Sequence, residues 1–334
     1  MSIIAFVGDV YTHGKVQVNY TWPEMVIFNL EYAVSSDIGD PPPNKVNLFS
    51  PFADFNDLFR ETELIASLAN NHITDCGAIG FRNTLNELRK RNIPYVGAGT
   101  RETNFNNPLI IRREDSTIGV LSYSQFVYSS DGYSAAPIKK ERIIQDIELA
   151  KTQGADTVVG IVHWGVEEDP INNTYQTEIA HLLIDNGVDL VIGHHPHCIQ
   201  PYSIYKGKYI FYSLGNFYFE DINVLSFYDA QRNPKRVYRK RQSSHNRIAW
   251  VVLYDTNKKT VIDVHELRNN KKKIIFKQCI DFSTKCKYKK NNIILKQLRK
   301  YINFIYSNSF TDGKLFDFKA IKHEMYMKRN RNIY

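Results

Sequence analysis

Three imidazoles fall within four positions in Gly193-His194-His195-Pro196-His197, directly after the apolar run Leu-Val-Ile. Neutral imidazole is a standard ligand for Zn, Mn and Fe, whereas three charged rings so close would repel one another. Five other apolar runs also end in side chains that bind a metal or an oxyanion: Ile-Ala-Phe-Val-Gly8-Asp9, Val-Ile-Phe-Asn29-Leu-Glu31, Ser-Leu-Ala-Asn70-Asn71-His72, Gly-Ile-Val-His163-Trp-Gly and Phe-Tyr-Ser-Leu-Gly215-Asn216. Taken singly, each has an ordinary explanation. Asp9 would cap the next element, Glu31 would be a surface carboxylate, Asn70-Asn71-His72 with Asp75 and Gly77 would be a turn, and His163 a hydrogen-bonded core residue. Taken together, they supply oxygen and nitrogen ligands without thiolate, a set suited to hard or borderline divalent ions rather than a structural zinc cluster. Carboxylates can bridge two ions, and a pair roughly 3.5–4 Å apart activates water and holds phosphoryl oxygens in a hydrolytic displacement. His72, on its own loop, is suited to protonate a leaving group or hold a phosphate oxygen.

Such residues meet only if the runs are strands of one architecture. Short apolar runs at Ile3–Val7, Val26–Leu30, Leu64–Leu68, Ile93–Val96, Ile118–Tyr123, Thr157–Val162, Asp189–Ile192 and Tyr209–Tyr212 alternate with helical patterns at 78–91, 141–152 and 174–186. That alternation predicts an α/β domain. Gly154 and Gly187 stand where helix C-caps are expected. In open α/β sheets the ligand crevice lies outside the carboxyl ends of the strands, so segments distant in sequence converge there. Gln231–Ser244, crowded with Arg and Lys, is expected to be an exposed loop or linker, and Ile248–Tyr254 with Val261–Leu267 to form a hairpin turning near Asn257–Lys259. Ile293, Leu295, Leu298, Ile302 and Ile305 fall on one side of a further helix. The expected division is a domain over 1–268 and a basic, partly helical C-terminal extension over 269–334.

The 334 residues are 43% hydrophobic and 23% charged, which excludes collagen-like and wholly disordered chains. The net charge of +8 conceals two opposite halves: residues 1–231 carry 16 Lys and Arg against 28 Asp and Glu, and residues 232–334 carry 27 against 7. A basic tail of this kind attracts an anionic membrane surface or an acidic partner, or is simply a solvated extension. Cys76, Cys198, Cys279 and Cys286 form no C-x-x-C pair, so no disulfide framework is expected, in keeping with a reducing compartment. The N-terminal run has no basic n-region, and no uncharged apolar stretch approaches membrane-spanning length, so a cytoplasmic protein, peripheral at membranes through its tail, is expected.

In combination, Gly8-Asp9, Asn29-Leu-Glu31, Ala69-Asn70-Asn71-His72-x-x-Asp75-x-Gly77, Val96-Gly97-Ala98-Gly99, His163-Trp164-Gly165-x-Glu167, Ile184-Asp185-x-Gly187-x-Asp189-Leu-Val-Ile-Gly193-x-His195-Pro196-His197 and Tyr212-Ser213-Leu214-Gly215-Asn216-Phe217 resemble the CapA family, bacterial capsule or poly-γ-glutamate synthesis proteins with a metallophosphatase-like fold. The resemblance covers about residues 3–220. It implies a calcineurin-like metallophosphoesterase sandwich, two β-sheets flanked by helices. It further implies Asp9, Glu31, Asn71, His163, His195 and His197 as ligands of one or two divalent ions (Mn, Zn or Fe), Glu31 standing where metallophosphatases usually have Asp. His72 would be the catalytic or phosphate-contacting residue, Asp75 the acid that orients it, and Glu167 a further site residue. The chain departs from the usual Asp-x-His of the first motif: Tyr11 stands in place of that His, with His13 two residues on. No counterpart of the N-terminal membrane segment expected of capsule members is seen, and the basic tail has no recognised counterpart either.

Two function classes follow. The first is a metal-dependent hydrolase of a phosphoester or related bond in a phosphorylated or anionic polymer. The second is a non-catalytic accessory protein that binds an anionic polymer on a borrowed fold. Nucleic acid is not expected, since Arg236-Val-Tyr-Arg-Lys-Arg241 and the Lys- and Tyr-rich 285–301 supply phosphate neutralisation without a reader motif.

Overall fold

A computed structural model describes residues 3–277, apart from 52, 54, 61, 101–104 and 271–272. The apolar helix pattern at 293–305, like everything beyond 277 in the basic extension, lies outside the described residues.

Two sheets form the body. In the first, Ile3–Tyr11 pairs in parallel with Met25–Leu30, which pairs in parallel with Glu63–Ser67. On its other flank Ile3–Tyr11 meets Asn216–Phe219 in parallel and Ile248–Asp255 antiparallel. In the second, Thr117–Ser124, Thr157–His163, Leu190–His194 and Lys208–Leu214 run parallel, with antiparallel edges at Leu109–Arg112 and Ile199–Tyr205. Buried strand after buried strand explains the continuous Val, Ile and Leu runs in the sequence.

Period-two alternation assigns each strand's side chains to different layers. Ile4 and Phe6 join Ile27, Ile65, Val120, Ile161, Ile192 and Phe211 in the core between the sheets. Ala5 and Val7 turn to the opposite face, where Phe28, Phe59, Phe81 and Leu88 pack, the last two from the helix Gly77–Lys90. The outer face of the second sheet is covered by Ile143 and Ile147 of Lys140–Thr152 and by Ile179 and Leu183 of Thr174–Asp185. The result is an α/β sandwich of two sheets flanked by helices, as expected. Both expected C-cap glycines take left-handed backbone, Gly154 at φ +92° and Gly187 at φ +108°.

The hairpin Ile248–Asp255 with Thr260–Asn270 forms as the alternation predicts. Its second strand pairs onward with Lys273–Lys277, so the sheet runs across residue 268, the expected domain edge. One expectation fails. Gln231–Ser244 is not an open loop: Pro234–Lys240 is a strand paired antiparallel with Ile222–Tyr228. The basic strand has almost no apolar signal of its own because the partner supplies it, burying Ile222, Val224, Ser226 and Tyr228 on alternate positions. Among the described residues, no helix is long and apolar enough to cross a membrane.

Candidate metal and catalytic site

The first sheet delivers oxygen donors. Asp9 follows Gly8, whose Cβ, were there one, would lie 1.9 Å from the Gly215 carbonyl oxygen. Only glycine lets the two strands close there, where the Asp9 amide donates to that same carbonyl at 3.0 Å. Asp9 is in register with Asn29 of the neighbouring strand. The Asn29 Nδ2 group bridges two carboxylates, donating to Asp9 Oδ1 at 2.8 Å and to Glu31 Oε2 at 2.7 Å. Asn70 Nδ2 in turn donates to Asn29 Oδ1 at 3.1 Å and to the Leu30 carbonyl at 2.8 Å, while Asn70 Oδ1 accepts from the His72 amide at 3.0 Å. Asn71, next along, presents Oδ1 2.7 Å from His163 Nε2.

The second sheet delivers nitrogen donors. His163 ends the strand Thr157–His163, and its Nε2 lies 3.1 Å from His195 Nδ1. His195 and His197 lie just past the strand Leu190–His194 in left-handed backbone, at φ +94° and +56°. Such conformations cost non-glycine residues about 1–3 kcal/mol each and persist where surrounding contacts impose them. Here Asn246 Nδ2 donates to the His197 carbonyl at 3.0 Å, and Asn216 Oδ1 lies 2.9 Å from His197 Nδ1. His194 takes a structural part, its Nε2 3.0 Å from the Val7 carbonyl of the other sheet.

Three groups of side chains each bring their ligand atoms within 4.8 Å of one another: Glu31 with His163 and His195, Glu167 with His195 and His197, and Asp9 with Glu31 and His197. These residues fit a divalent ion. Glu31 Oε1 is a buried carboxylate oxygen with no hydrogen-bond partner, faced by His163 Nε2 at 3.4 Å and His197 Nε2 at 3.7 Å. Burial, reinforced by His195, pushes His163 well below the usual imidazole range, and burial with the neighbouring rings pushes His195 down to about 3, so both stay in the neutral, ligating form. Burial also opposes charge on both carboxylates. Asp9 is nonetheless held low by His197, His194 and His163, whereas burial, Asp9 and Glu167 push Glu31 well above the carboxylate range. A cation between them would relieve that conflict.

His72 sits beside this cluster. Its Nδ1–H donates to Asp75 Oδ2 at 2.5 Å, and the Leu48 amide donates to the same oxygen at 2.5 Å. Lys45 pairs with the other Asp75 oxygen, donates to the Asn71 carbonyl, and lies over the Tyr128 ring at 4.5 Å. Burial lowers the His72 pKa against the opposing pull of Asp75. Glu167, at the rim, is half-buried. Burial would raise it, but Lys240 with His197, His195 and His72 holds it down to about 2. The Lys240 ammonium lies 3.7 Å from Glu167 and 2.8 Å from Glu168.

All nine residues singled out in the sequence, Asp9, Glu31, Asn71, His72, Asp75, His163, Glu167, His195 and His197, thus lie in one place. Tyr11 does not take up the role of the missing histidine. Its ring is wholly buried among Tyr32 and Phe219, and its hydroxyl is hydrogen-bonded to His13. His13 belongs to none of the three ligand groups among the described residues. Five residues without an assigned part also build the site: Asn29, Asn70 and Asn216, visible as polar strand ends, and Lys45 and Asn246, which no periodicity marks.

A two-sheet sandwich with mixed oxygen and nitrogen donors gathered at its strand ends has the architecture of a metallophosphoesterase-like fold. Residues 3–221 match the family model described as "Bacterial capsule synthesis protein PGA_cap", and the chain belongs to that family. It is 37% identical over 164 residues to the PGA biosynthesis protein CapA of Bacillus subtilis, covering 47% of this chain and 42% of that protein. To the capsule biosynthesis protein CapA of Bacillus anthracis it is 34% identical over 164 residues, covering 47% and 40%. The matched segment thus spans about two fifths of the length of these curated relatives. Among solved structures, a novel phosphatase from Mycoplasma pneumoniae aligns over 84% of this chain and 95% of its own, with 12% identity and a TM-score of 0.46.

Proposed function

We propose that the chain is a metal-dependent hydrolase of the phosphoesterase class that serves capsule, poly-γ-glutamate or related surface-polymer biosynthesis. The observation that supports this reading most is the unpartnered Glu31 Oε1, buried where imidazole nitrogens and the Asp9 carboxylate converge. One or two divalent ions (Mn, Zn or Fe) would be held by Asp9, Glu31, Asn71, His163, His195 and His197, and would supply a water of lowered pKa and Lewis-acid stabilisation of a phosphoryl oxygen. Asp75 fixes the His72 tautomer with the proton on Nδ1. The other ring nitrogen, Nε2, is then the atom that holds an oxyanion or, when protonated, passes a proton to the leaving group. Lys45 positions Asp75, and Glu167 with Lys240 lines the rim. The substrate is a phosphorylated or anionic polymer. The extension over 269–334 would hold the cytoplasmic protein to an anionic membrane surface or an acidic partner.

Tyr11 favours a second reading. With a core tyrosine in place of one expected imidazole, the cluster could serve a non-catalytic accessory protein that binds acidic groups through its ions. Metal content of tag-free protein, beside Asp9→Ala and His195→Ala, decides between them together with hydrolysis of a generic phosphodiester. The hydrolase requires one or two ions per chain, lost in both variants, with turnover lost alongside. A wild type that binds the ions but turns over no phosphodiester leaves the accessory reading, and one that binds no ion when Mn, Zn or Fe is supplied overturns both.

A further inference from the structure

The antiparallel ribbon of Ile222–Tyr228 and Pro234–Lys240 lies beyond the residues matched by the family model, and its two strands carry four cations and no acid. One end of the ribbon is fixed at the site. Lys240 pairs there with Glu168 at 2.8 Å and stands 3.7 Å from Glu167, itself grouped with His195 and His197. The solvent face alternates cation and aliphatic residue along the basic strand, Lys235, Val237 and Arg239. Facing these, the partner strand presents Leu225 opposite Val237 and Asn223 opposite Arg239. Leu225 and Val237 are 50% and 42% exposed.

The cations of this face have neutral partners. Lys235 donates to Asn44 Oδ1 at 3.1 Å and Arg239 to Asn223 Oδ1 at 3.1 Å, and among the described residues neither is paired with a carboxylate. Lys240 is compensated by Glu168 and Glu167, and Lys235 feels Asp229 in the turn without pairing with it, so the cations left to attract an anion are those of the exposed face, Lys235 and Arg239. Residues four apart on a strand are separated by about 13 Å, so cations at 235 and 239 flanking an aliphatic pair match acidic groups separated by hydrocarbon along a flexible chain. Stacked bases fit less well. The ribbon's three rings are taken: Arg236 covers Phe227 at 4.0 Å, Tyr228 is buried, and Tyr238 is half-buried with its ring edge-on to Phe227. Single-stranded nucleic acid is held chiefly on free aromatic faces.

We propose that the ribbon 222–240 is a docking surface for a linear polycarboxylate, which it leads past Lys240 to the Glu167 end of the site. The inference rests on the polymer-linked reading above, but its readout is binding rather than turnover, so the two fail separately. Full-length wild type, Lys235→Gln/Arg239→Gln and Leu225→Ser/Val237→Ser are titrated with labelled poly-L-glutamate and with oligo-dT at low salt, with melting temperature and metal content checking the fold. The charge variant is expected to weaken poly-L-glutamate binding about fivefold to tenfold, as for two exposed ion contacts, and the loss should shrink as salt rises. The aliphatic variant should weaken poly-L-glutamate and leave oligo-dT unchanged. Equal affinity for poly-L-glutamate in wild type and charge variant overturns the proposal, as does no binding by wild type. A charge variant that loses oligo-dT more than poly-L-glutamate overturns it in favour of nucleic acid.

Discussion

The two sheets contribute to the site in different ways. The oxygen half, Asp9, Asn29, Glu31 and Asn71, grows out of the first sheet and is held by hydrogen bonds that the chain makes to itself, with Asn29 tying both carboxylates and Asn70 tying Asn29. The nitrogen half, His163, His195 and His197, depends on two left-handed residues just past a strand of the second sheet, steadied from outside by Asn246 and Asn216. Burial acts oppositely on the two. It keeps His163 and His195 neutral, as metal ligation needs, but it sets Asp9 and Glu31 against each other. Two of the three imidazoles are therefore chemically ready, His197 being drawn up against burial by Asp9 and Glu167, and the nitrogen half is conformationally costly, whereas the oxygen half is held without left-handed backbone but is electrostatically strained.

Breaking the nitrogen half should have the largest effect. His195→Ala removes a residue common to two of the ligand groups, so it should lower bound metal and reduce phosphodiester turnover at least about a hundredfold. His72→Ala should cost about 10²–10⁴-fold in turnover while metal content holds, because His72 belongs to none of the three groups. Elemental analysis beside kinetics checks both. Full activity in either variant would sink the assigned role.

Asn29→Ala breaks the oxygen half. It strips one hydrogen bond from each of two buried carboxylates at once and should destabilise the chelator-treated protein by about 3 kcal/mol. Saturating metal should recover part of that loss, since an ion bound to the folded state adds its binding free energy. A urea titration with and without metal measures both. Equal losses in the two conditions would mean that the carboxylates are not where the metal acts.

What the sequence made legible follows the same division. The ligands at strand ends could be found because each strand announces its end by an abrupt change from apolar to polar residues, as at Val7-Gly8-Asp9 and Val162-His163. The central strands and the three helices were equally legible, since period two and period 3.6 are written in the apolar positions, whereas the flanking strands Leu109–Arg112, Ile199–Tyr205 and Asn216–Phe219 were not singled out. Lys45 and Asn246 were not, because they reach the site from irregular segments where no period says which way a side chain turns. The ribbon strand Pro234–Lys240 was missed for a different reason. A strand's pairing depends on its partner, and here nearly all the apolar information sits on Ile222–Tyr228. The fate of Tyr11 was also hidden, since a tyrosine in a ligand's position reads the same whether its hydroxyl enters the site or is taken by a neighbour.

A pH titration of the metal-free protein sharpens the comparison. His72, His163, His194 and His195 all have folded pKa values depressed by burial, His195 to about 3. Between that value and the unfolded value near 6.5, the unfolded chain binds more protons at these sites. Their contribution is therefore present above about pH 6.5 and is lost as pH falls. Glu31 acts in the opposite sense: its raised pKa stabilises the fold at low pH and loses that effect as pH rises. His197, drawn up against burial by Asp9 and Glu167, acts in the same sense as Glu31, so its contribution grows as pH falls toward 6.5. Below pH 6.5 the four depressed imidazoles outnumber the raised carboxyls Glu31 and Asp146 and leave a net loss on acidification, about 1.4 kcal/mol per pH unit for each net proton. Urea midpoints between pH 6.5 and 5 would show it. A midpoint that rises on acidification would mean that the imidazoles are not held neutral.

The smallest effect is expected at Tyr11. Phenylalanine there keeps the ring against Tyr32 and Phe219 and removes only the hydroxyl bonded to His13. Burial with the nearby Glu220 and Asp75 carboxylates raises the Tyr11 pKa, so the group being removed is a neutral hydroxyl and not a phenolate ligand. Tyr11→Phe should then cost less than about 1 kcal/mol, the net worth of one ordinary hydrogen bond, and leave metal content and turnover unchanged. A fall in bound metal would place the Tyr11–His13 pair in the ligand shell and make the oxygen half larger than the three groups describe. With metal content unaltered, position 11 is packing alone, and the site works with one imidazole fewer than its first motif would ordinarily supply.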